Sequence, residues 1–406
     1  MTFDPKRPFY ADDCGAPSPA RVRDRHSACL VEGMGAHKQR QSKRWASHYA
    51  PFVAALAMMT AAACTERTSK APVVIDDLAA ASASGPARDG RVVLITIDGA
   101  RWQDVFEGSD SGFSGAPSIP PEQLMPRAHQ LVATRGVALG ATLQGCGTAH
   151  TAGASNVSLP GYIEIFTGHA SQCLDNQCDR VEESVLDEAA RAPSGSAASI
   201  SSWELLLSAT SGGGTPVFVS NGRGYPGEPP ATDKVLSQAV AAGRNADPYP
   251  GYSEYRPDAA TIAIALAYYR AEKPALFHIG LGDTDEYGHR GDYASYLDAL
   301  KRADSLIGTV ADLLDTMGPL GAKTTVIVTP DHGRNSDFNN HGVLHPESAR
   351  TFVLAFGGGV PVRGIACPAH DVTLADIAPT IRVLVGLPRD TADGAGTPIE
   401  LITARN

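Results

Sequence analysis

Five short apolar runs rich in β-branched residues alternate with helical patterns from residue 91 onward. The runs are RVVLITI at 91–97, PVFVS at 216–220, ALFHIGL at 275–281, TTVIV at 324–328 and TFVLAF at 351–356. Near-continuous apolar strands are typical of parallel sheets, which are buried on both faces. The helical patterns are at 121–136, 257–272, 293–318 and 373–386. We therefore predict an α/β fold with a mostly parallel central sheet and helices on both faces.

Acidic and histidine side chains follow three of these runs directly. The carboxyl ends of parallel strands form the edge at which open α/β sheets build their sites. We therefore expect these side chains to converge in one crevice, together with a histidine a few residues further along the last loop. The converging set is Asp98, Asp285, His289, Asp331, His332 and His341.

This mixture of carboxylates and imidazoles is a typical ligand set for zinc, and it also suits manganese or iron. Six ligands are too many for one tetrahedral zinc ion. They fit two metal ions, which lie about 3.5–4 Å apart in two-metal sites and stabilise both oxygens of an in-line displacement.

Ser158 is the candidate nucleophile, in the segment NVSLPGYIEIFTG. A serine at a helix start lies beside the positive end of the helix dipole and near free N–H groups, which favour an anion. A coordinated metal would lower the pKa of its hydroxyl. The alternative is that Ser158 only caps the helix.

Four segments resemble the alkaline phosphatase superfamily in their order: VVLITIDGARWQDVF, SLPGYIEIFTG, DTDEYGH and TPDHGR with NNHG. The chain is most similar to the type I phosphodiesterase/nucleotide pyrophosphatase branch and to related sulfatase-like hydrolases. The resemblance covers residues 91 to 390, approximately. It implies an alkaline-phosphatase-like fold.

The resemblance also implies a role for each residue of the set. One metal would be bound by Asp98, Asp331 and His332, with Ser158 bridging as nucleophile. The other would be bound by Asp285, His289 and His341, with His345 as an alternative to His341. Asp283 is expected to support the site. The remaining histidines of interest match no motif and are interpreted as packing or surface residues: His150, His169, His278 and His370.

The chain departs from both related branches around the nucleophile. Nucleotide pyrophosphatases usually have Thr there and Asn-His after its Pro, whereas this chain has Ser158 followed by Gly161 and Tyr162. Sulfatases need Arg at the position of Tyr162 to form formylglycine. The motifs do not identify the group that clamps phosphate, and the candidates by proximity are Arg101, Asn156 and Arg334.

These features predict a two-metal hydrolase of small-molecule phosphate esters, a phosphodiesterase or phosphatase, that acts through a metal-activated serine and a phosphoseryl intermediate. Alternatives are a sulfatase-like or phosphonate hydrolase, a phosphosugar mutase, or a non-catalytic surface lipoprotein. The net charge of −10 and the lack of a basic patch argue against a nucleic-acid-binding domain.

The first 90 residues predict export. Lys43 and Arg44 precede an apolar run, YAPFVAALAMMTAAAC, that ends at Cys64. This layout is typical of a secretory signal, and the run is shorter than the ~20 residues of a membrane-spanning helix. Small residues before Cys64 resemble a bacterial lipoprotein cleavage site; the alternative is a buried Ala-rich helix. Met34 is an alternative start.

The predicted organisation is a leader at 1–63, a flexible tether at 64–90 and a catalytic metallohydrolase domain at 91–406. The predicted location is the periplasm or cell envelope, with membrane attachment only through lipid on Cys64. Within CLDNQC, Cys173 and Cys178 are expected to form a disulfide in that oxidising compartment; the alternative is free buried thiols.

Overall fold

The structure is a computed structural model that describes residues 89–229 and 233–404. The predicted leader, and with it Cys64 and the predicted tether up to residue 88, lies outside the described residues. Residues 91–404 contain the elements discussed below.

A large sheet of eight strands forms the centre of the domain. Two further strands, β3 and β10, form a separate small sheet. The strands are β1 (Arg91–Ile97), β2 (Gly136–Leu139), β3 (Ala149–His150), β4 (Ala197–Ser201), β5 (Phe218–Asn221), β6 (Leu276–Leu281), β7 (Thr324–Thr329), β8 (Val353–Gly357), β9 (Gly364–Ile365) and β10 (Val372–Thr373).

The order in the large sheet is β5-β4-β6-β1-β7-β8-β2-β9. The five strands from β5 to β7 pair in parallel, and so do β2 and β9, while β8 runs antiparallel to both of its neighbours. The prediction of a mostly parallel sheet is confirmed, and each of the five apolar runs overlaps a strand. The additional strands β2, β4 and β9 are short or rich in small residues, so their sequences lack the apolar signal.

Helices cover both faces of the sheet. They are α1 (Trp102–Phe106), α2 (Ser111–Ser114), α3 (Pro121–Leu124), α4 (Pro126–Arg135), α5 (Ser158–Thr167), α6 (Val185–Arg191), α7 (Leu207–Thr210), α8 (Lys234–Arg244), α9 (Asp258–Glu272), α10 (Asp283–His289), α11 (Tyr293–Thr316), α12 (Pro319–Ala322), α13 (Ile377–Val385) and α14 (Glu400–Thr403).

Three of the four predicted helical patterns match closely, and the fourth is divided. Pro126 stands at the first position of α4 and separates it from α3, because proline has no N–H to continue the preceding helix. Among the described residues, no helix combines the length and hydrophobicity needed to cross a bilayer.

Side-chain alternation along β1 divides the core into two layers. Val93, Ile95 and Ile97 pack with α4, α9 and α11 on one face, while Val92 and Leu94 pack with α5, α6 and α13 on the other. Burial on both faces explains why these strands are apolar without interruption. The parallel pairing of β6, β1 and β7 places their carboxyl ends at the same edge of the sheet.

Two disulfides link the loops outside the sheet. Cys173 and Cys178 are bonded, as predicted, and close a small loop. A second bond joins Cys146 to Cys367, which are 221 residues apart in sequence and were not predicted to pair.

Candidate metal centre

The three strands that precede the proposed ligands are neighbours in the sheet, in the order β6-β1-β7. Thr96 near the end of β1 pairs with Gly280 on one side and with Thr329 on the other. The three following loops therefore leave the same edge at the same height. Asp98 lies after β1, Asp285 on α10 after β6, and Asp331 after β7.

The first triad consists of Asp98, Asp331 and His332, all buried. His332 Nε2 lies 3.5 Å from Asp98 Oδ1 and 3.5 Å from Asp331 Oδ2. His332 Nδ1 is 2.8 Å from the carbonyl oxygen of Gly333, to which a neutral imidazole donates its proton. That bond leaves the Nε2 lone pair directed at the two carboxylates, which is how a protein prepares a histidine to bind a metal.

The second triad consists of Asp285, His289 and His341. Asp285 and His289 lie one turn apart on α10, with Oδ2 and Nε2 separated by 3.1 Å. His341 Nε2 lies 3.0 Å from His289 Nε2 and 3.8 Å from Asp285 Oδ1. Its Nδ1 is 3.1 Å from the carbonyl oxygen of Asn156, so its Nε2 also faces the centre. His345 instead contacts Asn335 at 2.8 Å.

The two triads adjoin each other. His332 Nε2 lies 4.0 Å from Asp285 Oδ1, and the rings of His332 and His341 stack with centroids 3.9 Å apart. Two sets of three ligands at this separation match the arrangement of a two-metal centre.

Ser158 opens onto the first triad. It is the first residue of α5, and Val157 occupies the N-cap position. Its Oγ lies 3.1 Å from His332 Nε2 and 3.4 Å from Asp98 Oδ1. The hydroxyl therefore faces the proposed ligands and does not serve as a helix cap.

The start of α5 offers fewer free N–H groups than the sequence suggested. The N–H of Leu159 donates to Asn176 Oδ1 at 2.9 Å, Pro160 has none, and the N–H of Gly161 donates to the Val157 carbonyl. The proximity of Ser158 to the triad, rather than a set of free helix N–H groups, is what distinguishes this position.

Two glycines allow the elements to approach this closely. Gly99 has a φ of +60°, and a Cβ there would lie 2.4 Å from Asp285 Oδ1. A Cβ at Gly161 would lie 2.2 Å from the Asp331 carbonyl oxygen, so α5 packs directly on the loop after β7. The N–H of Gly99 also donates to Asp331 Oδ1 at 3.0 Å.

Buried charge makes the metal-free centre unfavourable. Burial raises the pKa of Asp98 well above its ordinary value, and the charges of Asp331 and Asp285 raise it further. Burial likewise raises the pKa of Asp331. Its Oδ2 is buried and has no hydrogen-bond partner among the described residues. An orphaned carboxylate oxygen and crowded negative charge are what divalent cations would satisfy, so these residues fit the metals that the motifs imply.

Asp285 differs from the other two carboxylates because cations surround it. Burial raises its pKa, but His289 and Arg334 outweigh that effect, so the pKa lies well below the ordinary value. The guanidinium of Arg334 donates to Asp285 Oδ1 and, at 2.8 Å, to its carbonyl oxygen. It also donates to the carbonyls of Phe338 and Asn339. This placement favours a role in positioning Asp285 over contact with substrate.

The other two phosphate-clamp candidates have different surroundings. Arg101 is buried, its Nη1 lies 3.6 Å from Asp104 Oδ2, and its guanidinium lies over the ring of Phe113. Its Nε and Nη1 have no hydrogen-bond partner among the described residues. Asn156 has a φ of +51° and accepts a hydrogen bond from Thr151 at 2.6 Å, two residues before Ser158. Of the two, Asn156 lies in the same segment as the proposed nucleophile, Ser158.

Asp283 anchors the helix that carries the second triad. It accepts hydrogen bonds from Tyr255 at 2.8 Å and from Arg302 at 2.9 Å, while Asp258 accepts from the N–H of Gly282 at 2.8 Å. The predicted supporting role fits these contacts. The histidines outside the motifs also lie where they were expected: His278 is in the core, His370 is exposed, and His150 and His169 contact acidic side chains.

Comparison with known proteins gives one family and several partial relatives. Residues 255–389 match the family model described as Metalloenzyme superfamily. GPI ethanolamine phosphate transferase 1 of Yarrowia lipolytica is 29% identical over 153 residues, which is 33% of this chain and 16% of that protein. The 2,3-bisphosphoglycerate-independent phosphoglycerate mutase of Haloarcula marismortui is 28% identical over 138 residues, covering 33% of this chain and 25% of that protein. The matches thus span a quarter or less of these relatives.

Solved structures extend the likeness over most of the described domain. Alkaline phosphatase PafA superposes with a TM-score of 0.52 at 12% identity, covering 79% of this chain and all (100%) of that chain. A 2-O GAG sulfatase superposes with a TM-score of 0.50 at 14% identity, covering 78% and 75% of the two chains. The domain therefore has an alkaline-phosphatase-like fold. This likeness confirms the predicted fold, while the branch of the alkaline phosphatase superfamily stays a prediction.

Sequence reasoning missed contacts that support the proposed ligands of this alkaline-phosphatase-like domain. The Tyr162 hydroxyl donates to Asp98 Oδ2 at 3.3 Å. From the sequence, this position was of interest only because sulfatases require Arg there, and no role was assigned to Tyr162. Glu164 is buried and accepts from the N–H groups of Ala152, Gly153 and Ser171. A charged residue inside the apolar helix GYIEIFTG was the available signal for Glu164.

Proposed function

We propose that this protein is an exported two-metal hydrolase of phosphate esters, a phosphodiesterase or phosphatase, with Ser158 as its nucleophile. The observation that carries this proposal is the placement of the Ser158 hydroxyl 3.1 Å from His332 Nε2, beside two adjoining triads of metal-ligating side chains. The ligand set, with three histidines and three carboxylates, favours zinc over the oxygen-rich sites that calcium prefers.

The first metal would be held by Asp98, Asp331, His332 and the Ser158 oxygen, and the second by Asp285, His289 and His341. When bound, the two ions would supply Lewis-acid stabilisation of charge on the phosphoryl group and on the serine oxygen.

The chain itself provides the positioning. The Gly333 carbonyl fixes the His332 ring, and the Asn156 carbonyl fixes that of His341. Ser158 Oγ is held at the start of a ten-residue helix, from which it attacks phosphorus in line and expels the alcohol. The product of this step is a phosphoseryl enzyme, which water then hydrolyses.

Two kinds of support favour phosphate over sulfate esters. The curated relatives named above are a phosphate transferase and a phosphoglycerate mutase, so their names concern phosphoryl chemistry. Tyr162 also stands where a sulfatase requires Arg, and its hydroxyl contacts Asp98. The sulfatase-like alternative keeps the structural likeness to the 2-O GAG sulfatase as its support.

Export is part of the proposal, with lipid attachment at Cys64 and a periplasmic or cell-envelope location. The two disulfides of the described domain support it, because such bonds persist in oxidising compartments and are rare in the cytosol.

Substitution of the nucleophile tests the mechanism. Ser158→Ala should lower kcat for an aryl phosphate ester by several orders of magnitude, since the attacking oxygen is removed. Ser158→Thr, which keeps a hydroxyl, should retain part of the activity. Steady-state rates with p-nitrophenyl phosphate, bis-p-nitrophenyl phosphate and p-nitrophenyl sulfate measure both the loss and the preference for phosphate.

Metal content provides the control for that experiment. Wild type and Ser158→Ala should both contain about two divalent ions per chain, mainly zinc, and unfold at similar temperatures. If Ser158→Ala has normal metal content and near-wild-type rates, water attacks phosphorus directly and the serine mechanism is wrong. A single calcium ion and faster sulfate cleavage would favour the sulfatase alternative.

A further inference from the structure

Three exposed apolar side chains lie on loops that flank the segment carrying Ser158. They are Leu174 (64% exposed), Val343 (54%) and Leu344 (87%). Single exposed apolar residues are common on protein surfaces, but a group of them around a site indicates contact with a ligand. We call this group the apolar rim.

Two loops of the rim are bonded to the segment that carries Ser158. The carbonyl of Leu174 accepts from Ser155 Oγ at 2.9 Å, and nearby Asn176 accepts from the N–H of Leu159 at 2.9 Å. The Cys173–Cys178 disulfide closes this loop. Leu174 is therefore held at the start of α5, close to the nucleophile.

The second loop follows the metal ligand His341. That ring is held to the Asn156 carbonyl, and a Cβ at Gly342 would lie 3.3 Å from Val157 Cγ2. Val343 and Leu344 come next in the chain, so they emerge beside Val157, which is itself partly exposed.

We propose that the apolar rim is the binding site for an alkyl chain on the phosphate ester, so that the preferred substrates carry a long apolar group. The inference rests on the proposed function. With phosphorus beside Ser158 Oγ, an organic substituent of the ester would lie within reach of these two loops, which contact the residues on either side of Ser158. The rim offers that substituent apolar contact, while the charged groups at the centre are committed to the metals and to one another.

A homologous series of esters tests this assignment. The probes are p-nitrophenyl alkyl phosphates and n-alkyl phosphates with methyl, butyl and octyl chains, used below their micelle concentrations. In whichever class is hydrolysed, wild-type kcat/KM should rise at least about tenfold from methyl to octyl, because each buried CH₂ contributes to binding. Leu344→Asp and Leu174→Asp should each bring the octyl-to-methyl ratio close to one.

A matched control uses an apolar residue that is equally exposed but lies elsewhere. Val235 on α8 is 69% exposed, and Val235→Asp should keep the wild-type ratio. A wild-type ratio near one in an active enzyme overturns the rim assignment alone. Failure to hydrolyse any ester in either class overturns the proposed function and the inference with it.

Other occupants of the rim would give distinct results. If the wild type sediments as a dimer, Leu344→Asp sediments as a monomer, and the chain-length ratio is unchanged, the rim contacts a second copy and the proposal is wrong. If octyl esters gain rate only when phosphatidylcholine vesicles are present, the rim contacts a bilayer surface, and the proposal is again wrong.

Discussion

Gly99 shows how a single hydrogen atom in place of a side chain shapes the centre. The residue follows the proposed metal ligand Asp98 and has a left-handed conformation that favours glycine. The carboxylate of Asp285 occupies the space that any Cβ would fill. The Asp-Gly pair in the first motif is therefore a steric requirement of bringing the two triads together.

Gly99→Ala should reduce the zinc affinity of the centre about tenfold or more, because Asp285 must move away from the other ligands. It should also lower stability by roughly 1–2 kcal/mol, since alanine is strained at this φ. Zinc titration with a competing chelator measures the first effect, and urea unfolding measures the second.

Gly115 provides a matched control for that substitution. Its φ is +62°, and no atom lies within 4 Å of a Cβ placed there. Gly115→Ala should cost similar backbone strain with no change in zinc affinity. Equal zinc affinities in the two variants would contradict the steric account of Gly99.

Arg334 marks the limit of sequence reasoning at this scale. Its position after Asp331 and His332 in the motif suggested contact with substrate, and the predicted ligands do lie together in the structure. Only the fold shows that the guanidinium points to Asp285 on another element, 49 residues away. The direction of a long, flexible side chain is decided by its tertiary neighbours, which local sequence does not specify.

Helix α5 connects the proposed nucleophile to the proposed metal ligands through Glu164. This buried carboxylate accepts from the N–H groups of Ala152 at 2.7 Å, Gly153 at 2.6 Å and Ser171 at 3.3 Å. Burial raises its pKa even though these donors oppose the effect. The loop that it holds leads to Asn156, whose carbonyl fixes His341.

Glu164→Gln should lower the free energy of unfolding by about 1–3 kcal/mol, because the amide nitrogen cannot accept and leaves a buried N–H unpaired. It should also weaken retention of the metal at His341. Urea unfolding and metal analysis of the purified protein measure the two effects. Glu122→Gln, at an exposed position on α3, should change stability by less than about 0.5 kcal/mol. Similar losses of stability in both variants would argue against this role of Glu164 in holding the loop.

At the level of elements, the sequence specified the parts of the fold that are buried on both faces. β1, β6 and β7 are apolar throughout because helices cover both sides, so their runs were unambiguous. β4 reads AASIS and has no such signal, although it is fully buried beside β6. The Cys146–Cys367 bond depends on how distant loops meet, and spacing along the chain does not encode that.

Across the whole molecule, buried ionisable groups set the pH dependence of the metal-free protein. Burial, with the charge of Asp283, raises the pKa of Asp258 to about 8, and burial raises that of Glu286 to about 7. The unfolded chain ionises these groups near pH 4, so above that pH the native state binds more protons and stability falls as pH rises. Burial lowers the pKa of His278 to about 3, which has the opposite effect up to about pH 6.5 and none above it.

The metal-free protein should therefore lose stability between pH 6.5 and pH 8, where the contribution of His278 is constant and those of the raised carboxyl groups still change. One fully buried group such as Asp258 changes the free energy of unfolding by about 1–2 kcal/mol over this interval. The raised pKa values of Asp98 and Asp331 also lower stability as pH rises, until a metal binds these carboxylates. Saturation with zinc should therefore reduce the fall in the free energy of unfolding with pH, and it should stabilise the protein more at pH 8 than at pH 6.5. Urea unfolding at both pH values, with chelator and with zinc, measures these slopes, and Asp258→Asn should reduce the slope in chelator. Stability that is constant or rises over this interval in chelator would show that the buried carboxyl groups are ionised in the native state, contrary to the electrostatics of this core.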